Sequence, residues 1–596
     1  MEFLGPLRAL GTPTSIAITG TLFFAAFLFY RWLLPKPIPG IPYDASATKS
    51  IFGDIPNMLK HLEKSKEVTN WMKDFNTRHD SPIVQIFLSM FQKPVVMIDD
   101  YRESQDILLR RTKEFDKPDF ISDIFYGINP DFHTVQATND TFRSSRKLLQ
   151  DLMTPTFLNG VAAPYLHASF VDLMTLWSEK SRLSEGRPFS VKTDIYETAL
   201  DAIWAAFFGD DGSGTVTRSQ IEHLRSLKNV PIPSSKEEAV EFKHVEGPPA
   251  FEAILRLTDS IEHCSKSPFP RLAGVALRYF PSMRRHAKAK DQAIVEQISK
   301  AEARINQEKG NSNKVTNALD LMLRREKQIA QKQGRAPNYY SKAIKAELFG
   351  LLIAGHDTTS TTLLWSLKFL AAHPSIQTKL RSALHTGFPL AKFESRVPNA
   401  HEIASTQIHY LDACIEEFLR VGQTAPMASR TTTQDVKVLG HVVPKGTMVF
   451  MIGGGAGILD PVRPIPDSLR SQQYLNASGG KTRDWSASSV SEFEPERWLV
   501  KDAQTGQDVF DAQAGPHIQF GGGPRGCFGK RLAYLELRLA VVLSVWSWVF
   551  DGISEEFGSF EAMEQLTHSP VHCHVKIRPA EVKVASSVGS GMRVVG

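Results

Sequence analysis

The chain has 596 residues, 42% of them hydrophobic, so it is long enough to bury a large core and exceeds an average single domain. Its formal net charge of +5 is not gathered into long basic runs, which argues against nucleic acid as a partner. Its four cysteines lie far apart without C-x-x-C spacing, so neither a disulfide framework nor a structural zinc site is indicated.

The N-terminal part contains an uncharged run of 22 residues, 9–30. As a helix this run would span roughly 33 Å, about the thickness of a bilayer core. A cleaved signal peptide is the alternative, but the run is long and no small-residue cleavage site follows it. We therefore predict that residues 1–34 form one transmembrane anchor. Arg31 and Lys36 directly after the run favour a cytosolic location for the rest of the chain.

Residues 35–43 contain four prolines. Proline at this density neither continues a helix nor pairs in a sheet, so we predict a stiff linker. The globular domain is then predicted over residues 44–584. Residues 585–596 are small and polar, which predicts a disordered tail.

The sequence predicts short secondary-structure elements in the first part of the globular domain. Residues 83–90 and 95–98 read as a strand hairpin, and residues 101–111 read as a helix. A helix is also predicted over residues 142–150, where it carries Arg143, Arg146 and Lys147.

Residues 209–249 are polar and interrupt two helical pieces. Segments of this kind are often mobile and can gate a site. A plain surface excursion explains the same pattern equally well, and the two readings stay open.

The longest helical pattern of the globular part covers residues 342–372 and contains the motif AGHDTTS at 354–360. Hydroxyl side chains in mid-helix bond back to carbonyl groups and Gly355 weakens the helix, which together predict a local bulge. Asp357 and Thr358, an acid beside an alcohol, can pass protons to a bound oxygen species. An ordinary core helix with a threonine cluster remains the alternative on this motif alone.

Glu417 and Arg420 are spaced i, i+3 on a predicted helix, so they share a face and can pair. Such pairs are common and are usually exposed to solvent. A second motif, FEPERW at residues 493–498, adds Arg497.

The stretch FGGGPRGCFG at residues 520–529 presents Cys527 on a glycine-rich loop. A helical pattern over residues 530–549 places this cysteine just ahead of a helix N-terminus, whose amides favour the thiolate over the thiol. Arg525, two residues away, is placed to meet an anion. A buried free cysteine is the alternative, but five fixed positions of this kind arise by chance on the order of once in 10⁶ start points.

Phe520, Gly523, Arg525, Cys527 and Gly529 resemble the haem-binding signature of the cytochrome P450 family. The resemblance implies a mainly α fold with a smaller β-rich part, the cytochrome P450 fold, following the transmembrane helix. It implies that the thiolate of Cys527 is the axial ligand of the iron of haem b, with Phe520, Arg525 and Gly529 around the cofactor.

The same resemblance assigns roles to earlier motifs. Arg146 and Arg430 would hold haem propionates, and Phe142 stands where the family has a tryptophan, so one N–H donor is missing there. Asp357 and Thr358 would be the catalytic proton donors. Glu417, Arg420 and Arg497 would form a buried charge network with a structural role.

The implied activity is a monooxygenase that inserts one atom of O₂ into an apolar small molecule. No flavin or nicotinamide motif is present, so electrons would come from NADPH through a separate cytochrome P450 reductase, with cytochrome b5 left open as a further donor. Lys530, Arg531, Arg538, Arg143 and Lys147 would form a basic face for the reductase, or merely a solvated surface. The implied location is the endoplasmic reticulum membrane, in contact with lipid, with the catalytic domain in the cytosol. The nearest resemblance is to fungal members of secondary metabolism.

Two other functions remain open. A haem-thiolate isomerase or dehydratase would need no reductase, although such relatives often lose the acid and alcohol that Asp357 and Thr358 supply. A non-enzymatic haem sensor or electron carrier would need neither a proton relay nor a substrate cavity.

Overall fold

Helices dominate the computed structural model, which describes residues 12–88, 93–210, 215–267, 269–307, 315–477, 485–516 and 518–580. The mainly α fold with a smaller β-rich part is confirmed. The helices are α1 (Thr12–Leu33), α2 (Ile55–Leu62), α3 (Val68–Arg78), α4 (Tyr101–Leu109), α5 (Asp119–Phe125), α6 (Asp140–Leu149), α7 (Pro155–Phe157), α8 (Ala163–Ser184), α9 (Lys192–Phe208), α10 (Val216–Ser226), α11 (Pro249–Ser265), α12 (Pro270–Leu277), α13 (Pro281–Gln307), α14 (Ala318–Lys332), α15 (Lys342–Ala372), α16 (Pro374–Gly387), α17 (Pro389–Phe393), α18 (Ala400–Ser405), α19 (His409–Gly422), α20 (Gln472–Ala477), α21 (Lys530–Ser547) and α22 (Glu555–Gly558).

The strands are short and most of them pair antiparallel. They are β1 (Ile83–Ile86), β2 (Val95–Ile98), β3 (Phe115–Asp116), β4 (Phe189–Ser190), β5 (Met427–Thr432), β6 (Val436–Val438), β7 (His441–Val443), β8 (Met448–Ile452), β9 (Leu499–Lys501), β10 (Asp508–Phe510), β11 (Trp548–Asp551), β12 (Ala562–Glu564), β13 (His568–Pro570) and β14 (His574–Pro579). The largest sheet has the order β1-β2-β8-β5-β3. Only the β2–β8 pair within it is parallel, with Val96 opposite Val449.

Several predicted elements are confirmed close to their predicted ends. The hairpin of β1 and β2, the helix α4 and the helix α6 lie where the sequence places them. The long helix α15 covers the whole predicted range, and α21 follows the cysteine loop. Local pattern therefore predicted the elements that carry the candidate site.

Residues 12–30 of the N-terminal run lie in the helix α1, but the predicted membrane-spanning anchor is not supported. In the part of the chain that the structure describes, no helix combines the length and the apolar character needed to cross a bilayer. The proline-rich segment that follows has neither helix nor strand, as predicted. It lies against the β-rich part, because the side-chain amide of Gln85 bonds the backbone of Ile38 and Ile41 at 2.7–2.9 Å. The predicted C-terminal tail lies outside the described residues.

The helix α15 lies at the centre of the helical part and contacts α9, α19 and α21. Gly355 allows the close approach of α9, since a Cβ at this position would lie 2.9 Å from Cδ1 of Ile203. The large core around these helices includes Trp177, Phe349 and Trp546. The packing holds α15 rigidly beside the start of α21.

The sequence left open whether residues 209–249 form a mobile segment that gates a site or a plain surface excursion. Their contacts favour the surface excursion. The helix α10 packs on α8 and α9. The coil after it is held by Gln220, whose side chain bonds both backbone groups of Val245, and by His244, which bonds Glu197 at 2.5 Å. These contacts fix the segment to α9 and α10.

Candidate active site

The cysteine loop is closed by backbone hydrogen bonds. The N–H of Cys527 donates to the carbonyl of Phe520 at 2.8 Å, and the N–H of Gly526 donates to that of Gly523 at 3.0 Å. Cys527 is exposed and stands three residues before α21, as the sequence predicts. The loop therefore presents one sulfur atom at the N-terminal end of a buried helix.

Two glycines of the loop are required by its shape. Gly523 has a φ of +62°, and a Cβ there would lie 2.6 Å from the carbonyl oxygen of Leu108. Gly521 has a φ of +60°. Side chains rarely adopt this left-handed backbone, so larger residues would distort the loop. Gly529 acts differently, because its missing side chain leaves free the space beside the sulfur of Cys527, 4.0 Å from an added Cβ.

The electrostatics of the thiol differ from the expectation. Desolvation by the surrounding loop raises the pKa of Cys527, although one side of the residue is open. The N–H groups of Gly529 and Lys530, together with the charges of Arg146 and Lys530, act in the predicted direction and lower that pKa, but they do not outweigh desolvation. The helix terminus alone therefore does not ionise this cysteine, whereas a bound metal ion deprotonates a coordinating thiol.

Three arginines gather beside the loop. Burial and then the charge of Arg525 lower the pKa of Arg430 to about 10. Burial, with a contribution from the charge of Arg146, also lowers the pKa of Arg525. One guanidinium nitrogen of Arg525, Nη1, is buried without a hydrogen-bond partner. Mutually repelling cations with an unsatisfied donor are suited to bind an anionic group.

Phe142 does not replace the N–H of the family's tryptophan, but it keeps a ring in that place. The guanidinium of Arg525 lies 4.2 Å from the centre of this ring, and that of Arg146 lies 4.8 Å from the ring of Phe528. Sequence reasoning missed Lys117, whose pKa falls to about 8 because of burial and then the charge of Arg525. No local sequence signal marks Lys117, because Arg525 is brought beside it only by folding. Lys117 adds a fourth cation to this cluster.

The motif at 354–360 lies on α15 without the predicted bulge, since the helix is continuous from Lys342 to Ala372. The Thr358 hydroxyl donates to the carbonyl of Ala354 at 2.8 Å, so back-bonding accompanies the helix rather than breaking it. Ala354 and Thr358 are exposed on a helix whose middle is otherwise mostly buried. This stripe of one turn therefore leaves two side chains of a core helix accessible to a bound molecule.

Asp357 is buried and does not share this exposed stripe. Burial raises its pKa to about 7, while a hydrogen bond from Thr567 lowers it. Its Oδ2 has no hydrogen-bond partner. The acid is therefore able to hold a proton near neutral pH. Thr567, which lies more than 200 residues away in sequence, was not identified from the sequence.

The packing of α15 on α21 joins the two motifs. Thr359 donates to Oε2 of Glu536 at 2.8 Å, and this carboxyl is buried. An accessible sulfur and nearby cations are the groups that could ligate the iron of a haem and bind its two propionates. The residues present therefore fit haem.

The predicted charge network is confirmed as a buried structure. Glu417 accepts hydrogen bonds from Arg420 at 2.6 and 2.8 Å, from Nε of Arg497 at 3.0 Å and from the indole of Trp498 at 2.8 Å. The remaining donors of Arg420 bond to backbone carbonyls of Ile458, Val490 and Glu492. The charged groups of this network are all bonded to other groups of the protein. The network therefore supports the loop connections, and its side chains are not available for catalysis.

Of the five cations predicted to form a basic face, one is not exposed. Arg538 is mostly buried, where it binds Asp412 and the carbonyls of Ile403 and Thr406. The other four cations, Lys530, Arg531, Arg143 and Lys147, are exposed. Helical periodicity could not distinguish the buried Arg538 from the four exposed cations, because the partners of Arg538 come from α18, α19 and the turn between them.

Comparison with known proteins agrees with this geometry. A family model described as Cytochrome P450 matches residues 51–487 and 488–552. Cytochrome P450 monooxygenase TRI13 of Fusarium sporotrichioides is 36% identical over 580 residues, covering 94% of this chain and 98% of that protein. Cytochrome P450 monooxygenase xilC of Penicillium crustosum is 33% identical over 561 residues, covering 92% and 94%. The crystal structure of the cytochrome P450DA haem domain has a TM-score of 0.60 at 18% identity, covering 92% of this chain and 98% of that one, and shows the fold alone. The chain belongs to the cytochrome P450 family.

Proposed function

We propose that this chain is a monooxygenase that inserts one atom of O₂ into an apolar small molecule of a secondary-metabolite pathway. The family and the fold imply haem with an axial cysteine thiolate. The observation that carries the proposal is the packing of α15, with Thr358 exposed, against the helix that Cys527 precedes. The fungal relatives named as monooxygenases support the reaction type.

The residues would divide the work as follows. Cys527 would hold the iron, Arg146, Arg430 and Arg525 would bind the propionates, and Phe520 and Gly529 would shape the loop. When bound, the cofactor supplies thiolate-assisted cleavage of the O–O bond.

Asp357 and Thr358 would control the protons. Asp357 is neutral at pH values below about 7 and can release its proton. The exposed Thr358 hydroxyl donates its one proton to the Ala354 carbonyl, so its oxygen can accept a hydrogen bond there, and it would donate a proton only after this bond is exchanged. Neighbouring residues on a helix do not face each other, and Asp357 is buried while Thr358 is exposed, so transfer between them would require bridging water.

Electrons would come from NADPH through a separate reductase, with cytochrome b5 as a second possible donor. The exposed cations Lys530, Arg531, Arg143 and Lys147 support a basic docking face near the cysteine loop. The location at the endoplasmic reticulum membrane stays a proposal. It is supported by large apolar side chains that α1 exposes, including Phe23, Phe24 and Trp32.

The test combines genetics with reconstitution. Metabolites of a producing strain with and without this gene would identify the compound that accumulates. The purified protein, with NADPH, a reductase and ¹⁸O₂, should convert that compound into a product carrying one labelled oxygen atom. Conversion without NADPH would indicate an isomerase or dehydratase instead. No spin-state change with any apolar compound would favour a sensor or electron carrier.

A further inference from the structure

His133 lies in the turn before α6, where this turn meets the cysteine loop. Its ring contacts the ring of Phe528 edge to face, with 6.0 Å between the ring centres, and it lies 6.2 Å from the ring of Phe142. The carbonyl of the next residue, Thr134, accepts a hydrogen bond from Nη2 of Arg525 at 3.1 Å. His133 is therefore a direct neighbour of the groups that gather beside the sulfur.

A buried glutamate of α15 holds this histidine in one orientation. Oε1 of Glu347 accepts from the backbone N–H of His133 at 3.0 Å, and Oε2 lies 2.7 Å from Nδ1 of the ring. The side chain of Glu347 has 0% of its surface exposed, and that of His133 has 6%. Asn129 ties the same stretch to α15 through a bond of 2.9 Å to the carbonyl of Ala346. These contacts leave Nε2 as the one ring nitrogen that is not bonded to α15.

The number of protons on this pair decides what Nε2 can do. In the part of the chain that the structure describes, His133 is the only group within ion-pair distance of Glu347. A buried carboxylate without a counter-charge is unfavourable, so the stable pair has no net charge. Such a pair carries two protons. Whether the proton between the two side chains resides on Nδ1 or on Oε2, the other one is bound to Nε2, which is therefore a hydrogen-bond donor.

The described residues provide no acceptor for this donor. The hydrogen bonds of the His133 side chain go to Glu347 alone. The ring lies beside Phe142, which stands where the family has a tryptophan and has no N–H to donate. An N–H without a partner next to the guanidinium of Arg525 is suited to an anionic acceptor.

We propose that His133 is a further haem-binding residue, whose Nε2–H donates to one propionate and supplies the hydrogen bond that Phe142 cannot. The inference rests on the propionate-binding role proposed above for Arg525. Glu347 is then a positioning residue, because it acts through His133 by fixing the ring and keeping the proton on Nε2.

A ring variant, a matched control and a modified cofactor test this assignment. His133→Phe removes both ring nitrogens and keeps a planar ring of similar size. His568→Phe is the control, because His568 is also buried and its Nε2 lies 3.0 Å from Oε1 of Glu67, but it belongs to β13 and bonds neither α15 through a glutamate nor the cysteine loop. The native chain and both variants are loaded once with haem and once with haem dimethyl ester, in which both propionates have lost their charge.

The first readout is the rate at which the cofactor transfers to excess apomyoglobin. With haem, His133→Phe should transfer it roughly 10-fold faster than the native chain, the effect of losing one hydrogen bond to a charged group, and His568→Phe should transfer it at the native rate. With the dimethyl ester, His133→Phe and the native chain should transfer it at equal rates. Faster transfer by His133→Phe with both cofactors would show that His133 only packs, and would overturn the assignment.

The second readout is the propionate bending band in the resonance Raman spectrum of the ferric protein. This band should shift to lower frequency in His133→Phe, as a hydrogen bond to the propionate is lost, and should stay in place in His568→Phe. An unshifted band with transfer at the native rate would also overturn the assignment. Neither readout uses O₂, NADPH or a substrate, so this failure would leave the proposed monooxygenase activity standing. Both effects in a protein without monooxygenase activity would refute that activity and support the role of His133.

Discussion

Glu417→Gln removes the negative charge that two buried arginines share. The carboxylate has 0% of its side chain exposed and accepts from Arg420, Arg497, Trp498 and the backbone N–H of Glu494. A glutamine keeps the shape but turns an NH₂ group toward donors, so the guanidinium groups lose their counter-charge. Breaking a buried pair in this way costs about 3–5 kcal/mol, a large fraction of the 5–15 kcal/mol typical of a whole domain.

We therefore expect Glu417→Gln to lower the free energy of unfolding by about 3–5 kcal/mol, measured by urea unfolding followed by far-UV circular dichroism. Glu252→Gln is the matched control, because Glu252 pairs with Arg256 at 2.6 Å on the exposed face of α11. The control should lose at most about 1 kcal/mol. Equal unfolding curves for the two variants would refute a structural role for the Glu417 network.

Three other predictions concern the site. The pKa of Asp357 is raised from 3.8 to about 7, so the native protein loses stability as the pH rises between these values. Asparagine does not titrate, so the stability of Asp357→Asn relative to the native chain should increase by about 1.4 kcal/mol per pH unit in this window. Thermal unfolding that shows no such pH-dependent gain would contradict this prediction. Arg430→Gln relieves the repulsion between Arg430 and Arg525 but removes a partner of a haem propionate. The stability of the apoprotein should therefore be unchanged or higher, and haem should transfer to apomyoglobin roughly 10-fold faster. An unchanged rate of haem transfer would exclude the propionate contact. Thr358→Val should raise peroxide formation at equal haem content, and tight coupling in this variant would remove Thr358 from the proton path.

The sequence predicted those features that depend on local spacing. The helix α15, the loop before α21 and the i, i+3 pair of Glu417 and Arg420 were all recognisable from residues near one another in the chain. Their relative placement followed from the family resemblance rather than from pattern. The elements that position the sulfur were therefore predictable.

The features that depend on long-range packing were not predictable. Lys117 joins the arginine cluster and Thr567 reaches Asp357 only because distant segments fold together. The net direction of the pKa of Cys527 depends on how strongly the loop desolvates the sulfur, which local motif does not report. The close packing of Gly355 against Ile203 likewise depends on the approach of α9, which is distant in the chain.

The most direct test of the central claim is the absorption spectrum of the CO-bound ferrous protein in the native chain and in Cys527→Ser. Sulfur ligation by Cys527 predicts the red-shifted Soret band of a haem thiolate in the native chain and its loss in the variant. The same red-shifted band in both proteins would contradict the assignment of Cys527 as the ligand.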